Sequence, residues 1–218
     1  MFADDIALVF KMVTKHGPVS PPFVECGGLE SPTIADYQRT IDAMAAMRPL
    51  DIIERTPEQW GARYDDALAK AQHARYLQIR RPLESTLPGY VCEDPGAGGL
   101  PIELLAQKYD RSIGVAILLS VLEHVDRPWE VPGHLVRAMR PGGLIVVSVP
   151  WAFPWHGSPE DHYRYSPTGL RHVFKHEAIE IIEAGWRLDV PAEAGVKCIR
   201  TGRAQIIQSA YLVARVRT

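Results

Sequence analysis

Seven consecutive residues, Ile113-Gly114-Val115-Ala116-Ile117-Leu118-Leu119, carry no polar side chain, and Leu144 to Val149 is almost as apolar. A strand with one wet face alternates apolar and polar residues. A strand this uniformly apolar is buried on both faces, as in a parallel sheet covered by helices on either side. The segment between the two runs, Pro128 to Met139, reads as a helix that ends at Arg140-Pro141-Gly142-Gly143. Strand, helix and strand in this order describe a crossover unit, and therefore an α/β domain with a mainly parallel sheet.

The remaining segments fit that plan. Ile6, Val9, Phe10 and Val13 recur at helical spacing between Asp4 and Thr14. Phe23-Val24-Glu25-Cys26 reads as a short strand running into Gly27-Gly28. Ser31-Pro32 and Thr56-Pro57 are cap-then-proline helix starts. Leu50 to Glu54, Tyr76 to Ile79 and Tyr90 to Asp94 are short strand candidates. After a polar, aromatic loop, Trp151 to Pro167, come a helix (Thr168 to Phe174), a strand (Ala178 to Glu183) and a last strand (Ala210 to Val216) expected at an antiparallel edge.

Composition narrows the function. With 24 Lys plus Arg against 26 Asp plus Glu, the chain is not expected to coat nucleic acid or an anionic membrane. Cys26, Cys92 and Cys198 are odd in number and far apart, which argues for a reducing, cytoplasmic setting and against a disulfide framework. No apolar run is long enough to span a bilayer. At 218 residues, a single domain covering 1–218 is expected, with residues 1–20 as a helical extension that leaves room for a homodimer.

In open parallel sheets, ligands bind beyond the carboxyl ends of the strands. That rule points to Glu25–Glu30, Ser120–His124 and the chain after Pro150. There the residues resemble a known family. Ser120-Val121-Leu122-Glu123-His124-Val125, Arg127-Pro128-Trp129, Leu135 to Leu144 with its Arg140-Pro141-Gly142-Gly143, and Val147-Ser148-Val149-Pro150 are similar to class I S-adenosylmethionine-dependent methyltransferases, in particular the type 11 domain. His156 to Leu170, with Asp161-His162-Tyr163-Arg164-Tyr165-Ser166-Pro167, extends the resemblance. It is strong from Ile113 to Phe174 and looser before.

The resemblance implies a Rossmann-like three-layer sandwich. Its mainly parallel seven-stranded sheet has the order 3-2-1-4-5-7-6, with an antiparallel strand at the C-terminal edge. It implies S-adenosyl-L-methionine as cofactor and a small-molecule acceptor. Glu25, Gly27 and Gly28 match the acidic-x-Gly-x-Gly turn after the first strand, although Leu29 stands at the final glycine position. Glu54 matches the acid that holds the ribose if Leu50–Glu54 is the second strand. If Tyr76–Ile79 is that strand, Arg80 stands in the acid's place. A carboxylate can accept both ribose hydroxyl protons and a guanidinium none, which favours Glu54. Asp94 matches the acid after the third strand. Leu119, Ser120 and His124 match the residues after the fourth strand that line the methionine and substrate side.

Methyl transfer to oxygen or nitrogen needs a base near the carboxyl ends of the fourth and fifth strands. His156, among Trp151, Phe153 and Trp155, is the first choice, with Asp161 and Tyr163 as further catalytic candidates. Asp161 with Arg164 also reads as an ion pair that stiffens the loop. The aromatic group Trp151, Phe153, Trp155, Tyr163 and Tyr165 could floor a substrate pocket or simply pack over the sheet. No metal site is expected, because His156 and His162 lack helical ligand spacing. A dinucleotide dehydrogenase is excluded by Gly27-Gly28-Leu29-Glu30-Ser31-Pro32, which lacks the Gly-x-Gly-x-x-Gly pattern. The rival from another class is a methyltransferase-like domain without catalysis, serving in binding or assembly. Eleven of the eighteen prolines fall in Pro82–Pro101 and Pro128–Pro167, where they would stiffen the loops over the site.

Overall fold

The computed structural model describes residues 2–27, 76–95, 98–151, 161–188 and 207–218. Glu54, Gly28, Leu29, His156 and the Leu50–Glu54 strand candidate lie outside them. In chain order the elements are α1 (Phe2–His16), β1 (Phe23–Cys26), a π-helical turn (Tyr76–Arg80), α2 (Arg81–Thr86) and β2 (Tyr90–Glu93). After a 3-10 turn, Ile102–Leu104, come α3 (Leu105–Tyr109) and β3 (Ile113–Leu119). Two more 3-10 turns, Leu122–His124 and Pro128–Glu130, lead into α4 (Val131–Ala138) and β4 (Met139–Pro150), followed by α5 (Pro167–Val173), β5 (Ile179–Leu188) and β6 (Ile207–Val216).

The six described strands form one sheet in the order β2-β1-β3-β4-β6-β5. Four of them, β2, β1, β3 and β4, run parallel, and β6 is antiparallel to both its neighbours. Alternate side chains divide the core in two. On one face Val24, Cys26, Ala116, Leu118, Val147 and Val149 pack with Leu105 of α3, Leu135 of α4 and Leu170 of α5. On the other, Phe23, Val115, Ile117, Leu119, Val146 and Val213 pack with Val9 and Met12 of α1 and Leu83 of α2. All seven residues of β3 are buried, which is why its sequence has no polar alternation. Helices on both faces complete the Rossmann-like three-layer sandwich.

Two expectations change. Among the described residues the sheet has six strands where seven were expected. Tyr76–Ile79, a strand candidate, is helical, because Pro82 sits at the first turn of α2 and the chain enters it already coiled. The antiparallel C-terminal strand is present as expected, β6 lying between β4 and β5 in the place of strand 7 in the order 3-2-1-4-5-7-6, with β5 at the outer rim.

The N-terminal helix is tied to this rim. Arg215 of β6 donates from Nη2 to the His16 carbonyl at 2.6 Å and from Nη1 to the Gly142 carbonyl at 2.9 Å. Lys15 pairs with Glu183 of β5.

Candidate active site

The carboxyl ends of β1, β2 and β3 lie side by side. β1 pairs Cys26 with Glu93 on one side and Glu25 with Ile117 on the other. Beyond Cys26 the chain stays against β2: the Gly27 N–H donates to the Glu93 carbonyl at 2.8 Å, and Gly27 also bridges to Pro101. There is no room for a side chain at this point. A Cβ on Gly27 would lie 2.5 Å from Asp94 Cα, 2.6 Å from Pro95 Cδ and 2.7 Å from Asp94 Oδ1. The glycine turn and the Asp94 carboxylate therefore share one small space.

Charge is concentrated beneath it. Glu25 is fully buried, and its Oε2 accepts the Tyr90 hydroxyl proton. Arg80, 7% exposed, pairs with Asp94 through Nη2 and brings Nε to 3.7 Å from Glu25 Oε2. One buried guanidinium thus faces the carboxylates of two neighbouring strands. Burial first, then the Glu25 charge, pushes the Tyr90 hydroxyl well above its ordinary range and the Cys92 thiol up to about 11.

Glu93 faces a different set of groups. Its carboxylate accepts from the Leu100 N–H at 2.8 Å, Lys108 Nζ at 2.6 Å and the Tyr109 hydroxyl at 2.6 Å. Burial alone would raise its pKa, but these donors outweigh burial and hold it below the ordinary carboxylate range.

At the end of β3, Ser120 adopts a left-handed conformation, with φ 54°, and its N–H donates to the Ser148 carbonyl of β4 at 2.8 Å. This bend, unusual for a residue with a side chain, turns the chain off the sheet into the Leu122–His124 turn. His124 is nearly buried, with Nε2 at 3.7 Å from Glu123 Oε1.

A strap, Asp161 to Ser166, crosses this turn. The His162 and Tyr163 N–H groups donate to the Glu123 carbonyl at 2.7 and 3.3 Å. The Tyr165 hydroxyl donates to the Leu122 carbonyl and that of Tyr163 to the Asp126 carbonyl, each at 3.0 Å. Asp161 makes a two-pronged ion pair with Arg164, Nη2 to Oδ2 being 2.6 Å. Ser166 then caps α5 by accepting from the Gly169 N–H at 3.0 Å. At the neighbouring rim, Trp151 after β4 and Trp186 of β5 meet edge-on with centroids 5.1 Å apart, both partly exposed. A cavity of about 230 Å³ opens beside the site, between Ile102 and Glu103, Val125 to Arg127, and the start of α4.

No protein-family model matches the chain. Over 71 residues it is 35% identical to an uncharacterized methyltransferase of Mycobacterium avium (strain 104), a match that spans 31% of this chain and 28% of that relative. Over 49 residues it is 41% identical to an uncharacterized methyltransferase of Mycobacterium ulcerans (strain Agy99), spanning 22% of this chain and 19% of the relative. In three dimensions it is similar to the CurJ carbon methyltransferase, with a TM-score of 0.50 and 15% identity over all of this chain and 54% of that one. The fold is that of the class I methyltransferases.

Within that fold, the structure brings Gly27, Glu25 and Asp94 together and sets Leu119 and Ser120 at the end of the adjoining strand. Asp161 and Tyr163 have their polar atoms engaged within the strap and with the Asp126 carbonyl. β2 lies directly beside β1, in the position of the class I methyltransferase second strand, where Tyr90–Asp94 was expected to be the third. Sequence reasoning missed Glu93, Tyr90 and Trp186. Tyr90 and Glu93 carried no signal, because their partners lie many residues away in sequence. Trp186 was lost when the β5 strand was expected to end at Glu183. Among the described residues, no group of three or more His, Cys, Asp and Glu side chains could hold a metal ion, and no helix is long and apolar enough to cross a membrane.

Proposed function

We propose that this chain is an S-adenosylmethionine-dependent methyltransferase acting on oxygen or nitrogen of a small-molecule acceptor. The observation that carries this reading is the close approach of Gly27 to Asp94 at adjoining carboxyl ends. A side-chain-free turn beside a carboxylate suits a cofactor with a backbone-hugging amino acid part and a diol. Gly27 and Gly28 admit the methionine part, and the Asp94 carboxylate accepts from the ribose hydroxyls. This assigns Asp94 the ribose role, since β2 occupies the second-strand position, and leaves Glu54 outside the assignment. Leu119, Ser120 and His124 line the methionine side.

The cofactor supplies an activated methyl on a positive sulfur, so the protein's task is mainly alignment and removal of a proton from the acceptor. His156 is the proposed base. Asp161 and Tyr163 act by holding the strap in place, because the Asp161 carboxylate is spent on Arg164 and the Tyr163 hydroxyl on a carbonyl. The exposed edges of Trp151 and Trp186 offer apolar surface on the acceptor side.

One observation favours the rival reading of a domain without catalysis: Arg80 already pairs with Asp94. Calorimetric titration with S-adenosylhomocysteine separates the two. Binding heat and a thermal shift are expected, and the absence of both would sink the enzyme reading. With an acceptor found by screening transfer of labelled methyl groups, His156→Ala is expected to keep cofactor affinity and to cut turnover about a hundredfold. Unchanged turnover would remove His156 from the mechanism.

A further inference from the structure

We infer that the acceptor is a planar aromatic compound, and that Trp186, paired with Trp151, is the specificity-determining residue that selects it. The inference rests on the reading of this chain as a methyltransferase with a small-molecule acceptor, and names the class of that acceptor.

The two rings come together from distant parts of the chain. Trp151 follows the carboxyl end of β4, and Trp186 lies on β5, with β6 between the two strands. Val149 of β4 and Trp186 of β5 both stand opposite Ala210 of β6. Trp151 lies two residues beyond Val149, so alternation gives it the same face, and its contact with Trp186 agrees. The rings therefore meet across β6, in the register of the small Ala210. Their centroids are 5.1 Å apart and their planes 63° apart, an edge-to-face contact. Trp151 is 41% exposed and Trp186 38%. An exposed edge-to-face pair is an open corner. A planar ring entering it stacks on one indole and meets the other edge-on, the two arrangements that aromatic rings prefer. A puckered aliphatic ring of the same size can adopt neither.

The surroundings select against polar acceptors. Alternation sorts the side chains at this end of the three strands. Ser148, Arg187 and Ser209 turn to the opposite face, where all three are buried and Arg187 Nη1 lies 3.5 Å from Ser148 Oγ. Among the described side chains, those that share the tryptophan face here are Val149, Ala184 and Ala210, all apolar. A sugar would need polar groups at this place to satisfy its hydroxyls. An aromatic ring needs none, and its single nucleophilic oxygen or nitrogen is left to point toward the end of β3. There Ser120 is bonded to the Ser148 carbonyl, one strand from the pair.

The test compares 2-naphthol with decahydro-2-naphthol, which have the same carbon skeleton and one hydroxyl each. Affinities are measured by ligand-observed NMR on protein saturated with S-adenosylhomocysteine, with far-UV circular dichroism to confirm folding. Wild-type protein is expected to bind 2-naphthol about tenfold or more tightly than its saturated counterpart. Trp186→Leu keeps an apolar surface and removes the ring. Its preference is expected to fall to about threefold or less, with S-adenosylhomocysteine affinity unchanged, and Trp186→Phe is expected to keep most of the preference. No binding of 2-naphthol, equal affinity for the two probes, or an undiminished preference in Trp186→Leu would overturn the inference. Trp129, 60% exposed and outside the pair, is the control: a preference lost in Trp129→Leu reports stacking on any surface indole and overturns it too. If Trp186→Leu does not fold, Trp151→Leu takes its place with the same criteria. Wild-type protein that does not bind S-adenosylhomocysteine refutes the underlying functional reading instead, so the two failures are distinguishable.

Discussion

Replacing Gly27 by Ala probes the fold and the site at one atom. The added Cβ would lie 2.5 Å from Asp94 Cα, almost an ångström short of ordinary van der Waals contact at 3.4 Å. The nearest atom is backbone, so no rotamer change relieves the clash. The strands must part, yet the Gly27–Glu93 hydrogen bond at 2.8 Å and the Gly99–Asp94 bond at 2.9 Å pin both sides of the contact. Overpacking of this kind costs about 1–3 kcal/mol. For a domain of this size each kcal/mol lowers Tm by roughly 2–4 °C, so a fall of about 4–8 °C is expected for a cost near 2 kcal/mol. Affinity should suffer separately. Moving Asp94 by about 1 Å relative to the turn should weaken S-adenosylhomocysteine binding at least tenfold, since misplacement on that scale can cost about a hundredfold. Differential scanning calorimetry and isothermal titration measure the two effects. A variant whose Tm stays within about 1 °C of wild type and whose Kd is unchanged would refute the reasoning. It would mean that the strands part freely and that the Gly27–Asp94 contact positions nothing.

Glu93 should make stability acid-sensitive. Its carboxyl has a lower pKa folded than unfolded, so its contribution is present above the unfolded value, about 4.3, and is lost as pH falls through the folded one. Glu93→Gln is therefore expected to be less stable than wild type at pH 7, with the gap closing as pH drops from about 5 toward 3; urea denaturation showing a gap independent of pH would refute this. Tyr165→Phe removes the buried bond to the Leu122 carbonyl, and its Tm should fall by roughly 2–4 °C for about 1 kcal/mol; an unchanged Tm would show that the bond adds nothing to the strap.

The parts of the fold legible in the sequence are those where a local pattern has a local cause. β3 runs within the limits read from its apolar residues, because burial on both faces leaves no polar positions to misplace, and β1 keeps its limits, Phe23–Cys26, although it buries Glu25. α4 and α5 were legible from the prolines at their starts. Tyr76–Ile79 misled because a tyrosine and an isoleucine within four residues fit a strand as well as a helix. What decides lies downstream, where Pro82 opens α2 and the chain enters it already coiled. β5 was read as ending at Glu183, yet it continues through Gly185 to Leu188. In the sheet, Gly185 lies under the Tyr211 ring, where a Cβ would come within 3.0 Å of the ring atoms.

Sheet order was the harder quantity, and it controls the site. Parallel neighbours are joined by long crossovers, so adjacency follows from the packing of the whole domain and from no nearby residue. On sequence grounds Leu50–Glu54 or Tyr76–Ile79 was to stand beside β1, with Tyr90–Asp94 one strand further out. The pairing of Cys26 with Glu93 puts Tyr90–Glu93 beside β1 instead. With that register, alternation along β2 sends Glu93 to Leu100, Lys108 and Tyr109, and leaves Asp94 beyond the last pair, over the glycine turn. On the proposed reading the two adjacent acids have different duties, Glu93 tying β2 to α3 and Asp94 facing the cofactor. Arg80 completes the division, since only the second acid shares its cation with Glu25. Removing the charge by Glu93→Gln should therefore lower stability and spare cofactor affinity, whereas Asp94→Asn should lower affinity by about tenfold or more and, by breaking the ion pair with the buried Arg80, lower Tm as well. The reverse pattern would reassign the two acids.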